Sequence, residues 1–127
     1  MQIQPQIKTA RVYDDPEGNP SDGYRVFVDR LWPRGESKEK FHYDLWAKDI
    51  APSDELREWF HADPGNRWET FKSKYLTELQ HSDEARQLAS QLLRRAVVTL
   101  LYASRDTLHN NATVVAEFLR DSAKYTP

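Results

Sequence analysis

The sequence predicts an α/β domain in which helices are layered on a small, mostly parallel sheet. Val97-Val98-Thr99-Leu100-Leu101-Tyr102 is a short, continuous apolar run, which suits a strand buried on both faces. Tyr24–Leu31, with Val26-Phe27-Val28 at its centre, is a second strand of the same kind. The segments between and after these runs carry apolar residues at helical spacing, and strands separated by helices pack as layers.

Taken in order, Ile7–Tyr13 alternates weakly and is rich in β-branched and aromatic residues, predicting an edge strand. Asp14–Gly23 gathers Asp, Pro and Gly into a polar loop, and Trp32-Pro33-Arg34-Gly35 breaks the chain after the Tyr24–Leu31 strand. Leu56, Trp59 and Phe60 recur at i, i+3, i+4 behind Ser53, a helix opened by a serine cap. Asn66 and Glu69 stand at capping-box spacing after Ala62-Asp63-Pro64-Gly65, ahead of a stripe of Trp68, Phe71, Tyr75, Leu76 and Leu79. Ser82 is expected to cap a helix striped by Ala85, Leu88, Ala89, Leu92, Leu93 and Ala96. A last helix, opened by Asn110 or Asn111, carries Ala112, Val115, Ala116, Leu119 and Ala123.

Composition bounds the function. At 127 residues with no internal repeat, the chain reads as one domain over 1–127. Zero Cys excludes disulfides, thiolate nucleophiles and zinc–thiolate or iron–sulfur ligation. A net charge of −2 argues against a bulk electrostatic footprint for duplex DNA. No apolar run is long enough to span a membrane and Met1–Thr9 lacks an apolar signal segment, so a cytoplasmic location is expected. Gly-x-Gly-x-x-Gly, the P-loop, Gly-x-Ser-x-Gly and His-Glu-x-x-His are all missing, so no cofactor is named. His42, His61, His81 and His109 show no metal-ligand spacing, so no metal site is expected and the first three read as surface or internally satisfied residues.

Three segments have the residue types for a site. In Asp29-Arg30-Leu31-Trp32-Pro33-Arg34-Gly35 a strand end delivers an Asp and two Arg, fixed by a Pro-Gly turn and suited to gripping phosphate or carboxylate. Gly35 would let backbone approach an anion closely. In Tyr102-Ala103-Ser104-Arg105-Asp106-Thr107-Leu108-His109-Asn110 the last strand runs into a helix N-terminus, where free N–H groups favour an anion. His109 is there a candidate acid or base by residue type. Trp46, Lys48, Ser53 and Arg57 form a weaker third group, in which a helix start and a solvated Lys explain as much as a site does.

Arg11-Val12-Tyr13-Asp14, Ser21-Asp22-Gly23-Tyr24-Arg25-Val26, Val28-Asp29-Arg30-Leu31-Trp32-Pro33-Arg34-Gly35 and Trp46-Ala47-Lys48-Asp49-Ile50-Ala51-Pro52-Ser53 follow one another in this order. Leu56–His61, Phe71–Leu79 and Thr99–Ala103 complete the series, which resembles the DUF488 family in its YeaO-like branch of small bacterial proteins, over positions 6 to 120. The resemblance implies a three-layer, Rossmann-like single domain, and no substrate or reaction. It implies recurrence of Asp29, Arg30, Trp32, Pro33, Arg34 and Gly35, then of Trp46, Lys48, Pro52, Ser53, Leu56 and Arg57. At the last loop Tyr102, Arg105, Asp106, Asn110 and Ala112 fit the pattern, but Asn111 stands where it has His. An amide hydrogen-bonds without shuttling protons near neutral pH, so binding or positioning is expected at Asn111.

The expected site has Asp29, Arg30 and Arg34 facing Arg105, Asp106 and Asn110 across the carboxyl edge of the sheet, where open α/β sheets bind ligands. Its ligand would be a phosphorylated or other anionic small molecule of nucleotide type, with Trp32 or Tyr102 stacking on a ring. Were it catalytic, Asp29 would be the base. The alternatives are a single-strand nucleic-acid module using Arg25, Arg30, Arg34, Lys38 and Lys40 with Tyr24, Trp32, Phe41 and Tyr43, or an interaction protein whose arginines sit in internal ion pairs.

Overall fold

A computed structural model describes residues 5–124, so the first four residues of the Met1–Thr9 segment lie outside the described residues. Strands β1 (Gln6–Arg11), β2 (Tyr24–Phe27), β3 (Leu45–Trp46) and β4 (Val97–Tyr102) form one all-parallel sheet in the order β1-β4-β2-β3. The helices are α1 (Asp54–Ala62), α2 (Pro64–Gln80), α3 (Asp83–Leu92) and α4 (Asn111–Lys124), with 3₁₀ turns at Pro20–Asp22 and Lys48–Ile50. The α/β class and the parallel sheet flanked by helices are as the sequence predicts.

Strand alternation sorts the core into two halves. Val26, Val28, Val98, Leu100 and Tyr102 join the buried residues of all four helices, including Phe60, Tyr75, Leu92 and Leu119. Phe27, Leu101 and Val12 face the other way, onto Phe41 with Trp32, Tyr43 and Trp46. The three layers are therefore helices, sheet and a loop layer of packed aromatics. In that layer Phe27 meets Phe41 edge-on at 5.2 Å, and Trp32 lies 5.6 Å from Trp46.

Ser53 and Ser82 cap α1 and α3 as expected, accepting from the Leu56 and Ala85 N–H groups. Asn110, not Asn111, caps α4, its Oδ1 accepting from Thr113 N at 3.0 Å. The Asn66–Glu69 capping box does not form. α2 starts three residues earlier with Asp63 as its cap residue and Pro64 in the first turn, where a missing N–H costs nothing. Asn66 instead donates to the Asp63 carboxylate. α3 ends at Leu92, leaving Ala96 exposed beyond it. α4 buries Val114 and Phe118 besides its expected stripe, because it packs on both the sheet and α2.

β1 ends at Arg11, where a turn closes with Asp14 N–H on the Arg11 carbonyl. β2 stops at Phe27 rather than Leu31. Val28 N–H still reaches Leu101 O at 3.1 Å, but the Asp29 carbonyl leaves the ladder to accept from Trp46 Nε1 at 2.8 Å. β3, only two residues long, is too short to show periodicity and was not legible in the sequence.

Arg25 corrects the reading of a basic surface stretch. It is 2% exposed, paired with Asp22 at 2.6 Å, and donates to the carbonyls of Asp15, Pro16 and His42. It ties the loops on either side of β2 to the sheet. Phe41, also expected beside that stretch, is 2% exposed in the aromatic layer.

Candidate functional site

At the carboxyl end of the sheet a cavity of about 350 Å³ opens between the loop after β2, the loop after β4 and one face of α1. Asp29, Arg30, Trp32 and Arg34 line it from the first, Ser104, His109, Asn110 and Asn111 from the second, and Arg57, Phe60 and His61 from the third. A larger cavity of about 530 Å³ lies between α3 and α4, but Arg86 there is already engaged by Asp83 and the Gln80 carbonyl. The strand-end cavity brings a carboxylate, three arginines and two histidines together from three segments, which is the pattern of a ligand site.

Asp29 leaves the sheet just past β2 and faces the first turn of α4. Its Oδ2 accepts from Ala103 N at 2.9 Å and its Oδ1 from Asn111 Nδ2 at 3.1 Å, while Trp46 Nε1 holds its backbone carbonyl. Burial pushes the Asp29 carboxyl up to about 6, against the downward pull of those two donors. A raised folded-state value makes the folded chain the better proton acceptor between pH 3.8 and about 6. Stability is therefore expected to fall as pH rises through that window, by on the order of 2 kcal/mol. Urea unfolding from pH 4 to 7 should show this loss in the wild type and a flatter profile in Asp29→Asn.

The arginines come from two elements. Arg30 Nη2 donates to the Pro52 carbonyl at 3.4 Å, and its Nε lies 3.4 Å from Asp54 Oδ1, too far off line to hydrogen-bond. Arg57 Nη2 lies 3.6 Å from the same carboxylate oxygen. The Nε atoms of both are buried and make no hydrogen bond among the described residues. Arg34 is exposed, and among the described residues it is tied through its carbonyl, which accepts from Tyr13 OH at 2.8 Å. His61, one helical turn after Arg57, is held below its ordinary value by burial and then by the Arg57 charge, so it adds little positive charge at neutral pH.

The structure thus brings together Asp29, Arg30, Trp32, Arg34 and Asn110, with Arg57 from the weaker group. It sets others apart. Tyr102 is 3% exposed on the helix side of the sheet, too buried to stack on a ligand. Arg105 and Asp106 do not line the cavity. Arg105 is exposed, and Asp106 folds the loop by accepting from the Leu108 and His109 N–H groups, both at 2.9 Å. Those two bonds hold the Asp106 carboxyl below its usual value. Gly35 is exposed at φ +83°, which its turn requires, and it does not line the cavity. Ser53 is spent on its cap and on Glu78, and Lys48 lies over the Trp46 ring at 4.1 Å, away from the cavity.

Tyr13, Phe60 and His61 are the lining residues that the sequence reading missed. His61 carried a signal, since its spacing from Arg57 puts both on one helix face. Tyr13 carried none, because only the turn after β1 brings it to Arg34.

A family model described as "Inactive DUF488-N3 subclade" matches residues 6–126. The chain is similar to "Uncharacterized protein YeaO" of Escherichia coli (strain K12), 46% identical over 90% of this chain and 96% of that protein. It is also similar to "Uncharacterized protein Rv3073c" of Mycobacterium tuberculosis (strain ATCC 25618 / H37Rv), 43% identical over 89% and 92% of the two chains. No solved structure matches the chain.

Proposed function

The chain belongs to the DUF488 family, in the subclade described as inactive DUF488-N3, and from that premise we propose that it binds a phosphorylated or similarly anionic small molecule without turning it over. The observation that carries this is the convergence of Arg30, Arg34 and Arg57 on one cavity. Asp54 is the single carboxylate that pairs with any of them among the described residues, which leaves the mouth positive and two buried Nε–H donors free. A planar guanidinium fork grips two oxygens of a phosphate or carboxylate at once.

Binding without turnover fits the description of the subclade. It also fits Asn111, which positions Asp29 through an amide unable to relay a proton. The nucleic-acid reading has less support: burial removes Arg25 and Phe41 from the surface it needs. The cytoplasmic expectation stays part of this proposal; among the described residues no helix is long and apolar enough to cross a membrane.

Thermal unfolding of the wild type with inorganic phosphate, mononucleotides and short oligonucleotides tests the reading. A phosphorylated small ligand at about 100 times its Kd is expected to stabilise by about 2.7 kcal/mol. Arg34→Ala, exposed and held through its backbone, should unfold like the wild type and lose much of that shift. A shift confined to oligonucleotides and abolished by salt would favour the nucleic-acid module instead. No shift with any of them would overturn the site.

A further inference from the structure

We propose that the ligand of this pocket carries a ring edge with two adjacent N–H donors, of the guanine type, which the Asp29 carboxylate accepts as a pair while the arginines hold its phosphate. This rests on the anion-site reading above and names the class of molecule that fits it.

The first support is the unfinished hydrogen bonding of Asp29. An ionised carboxylate offers about four acceptor positions, and protein donors fill two, one on each oxygen. The group lines the cavity and takes part in no ion pair among the described residues, although burial makes its charge costly. One acceptor position on each oxygen is left for a ligand, which is the arrangement that two parallel N–H donors satisfy.

The second is the sign of the surroundings. Arg30, Arg34 and Arg57 line the same cavity, so an ammonium group seeking Asp29 meets three positive charges on the way. Neutral ring N–H groups do not. The third is shape. The Trp32 ring is fixed by its Nε1 bond to the Glu36 carbonyl at 2.8 Å and is backed by Phe41 and Trp46, while Phe60 and His61 line the cavity from α1. Rigid aromatic walls around a desolvated carboxylate suit a flat heterocycle. Guanine presents N1–H beside its exocyclic amine, hypoxanthine lacks that amine, and adenine sets an acceptor beside its single donor group.

Calorimetric titration of the full chain with GMP, IMP, AMP and ribose 5-phosphate tests this. GMP should bind at least about ten-fold more tightly than IMP or AMP, since a site built for a donor rejects the analogue lacking it. In Asp29→Asn the preference for GMP over IMP should shrink to within about two-fold, while ribose 5-phosphate, which has no ring edge, still binds. Equal GMP and IMP affinities in the wild type would overturn the inference without reference to any variant, as would a preference that survives Asp29→Asn. In either case ribose 5-phosphate binding that is lost in Arg57→Ala would leave the anion site standing. Failure of all four compounds to bind the wild type would overturn the anion-site reading as well.

Discussion

Alanine in place of Arg25 is expected to lower the stability of the chain by about 3–5 kcal/mol, the range for removing one partner of a buried ion pair. Arg25 closes a pair with Asp22 and supplies hydrogen bonds to three carbonyls from two loops. Without it the His42 carbonyl loses its side-chain donor, the Asp15 and Pro16 carbonyls keep only the Gly18 and His42 N–H groups, and the Asp22 carboxylate keeps Lys8 at 3.6 Å and the Asn19 N–H. Arg25→Lys should recover little, since an ammonium cannot span the same fork of acceptors. Urea unfolding near neutral pH measures the loss. Burial by itself would raise the Asp22 carboxyl, but Arg25, Asn19 N–H and Lys8 together hold it below its usual value. A depressed carboxyl contributes stability above 3.8 that disappears as pH falls through the folded-state value. The gap between wild type and Arg25→Ala should therefore narrow in acid. A variant as stable as the wild type would show that the loop layer holds without this clamp.

Gly23→Ala is expected to cost about 3 kcal/mol or more. Gly23 ends the first 3₁₀ turn at φ 62° and ψ −127°, a conformation that carries roughly 1–3 kcal/mol of strain for an L side chain. Its added Cβ would stand 2.4 Å from the Val97 carbonyl oxygen and 2.7 Å from Val97 Cβ, so backbone at the start of β4 must also move. Gly65→Ala is the matched control. It lies in the first turn of α2 with nothing within 4 Å of the new methyl, and a gain of roughly 0.4–1 kcal/mol is expected. Denaturant midpoints of the two variants, moving in opposite directions, would separate local strain from a general cost of losing glycine.

Legibility of the fold followed the range of the forces involved. β4 appears at its predicted limits because a strand buried on both faces must be continuously apolar. Ser53 and Ser82 were legible because a cap acts over three residues. The same logic misled at α2, where Asn66–Glu69 has the right spacing but Pro64 had already started the helix. β3 was invisible, since its two residues exist as a strand only through their pairing with Val26 and Phe27.

The sequence by itself determined the class of the fold, the buried central strand, the serine caps of α1 and α3 and the Asp29–Arg34 segment at the carboxyl edge of the sheet. These depend on contacts between near neighbours in the chain, which leave a periodic or local trace. Tertiary structure alone decided which charges are free and which are spent. Arg25 and Arg34 look alike in the sequence, yet one is sealed under two loops and the other stands open at a cavity mouth. Asp29 meets Asn111, distant in the chain, only because parallel strands deliver the end of β2 beside the start of α4. The number of donors a carboxylate receives, and the water it loses, are set by segments that the chain order does not place together.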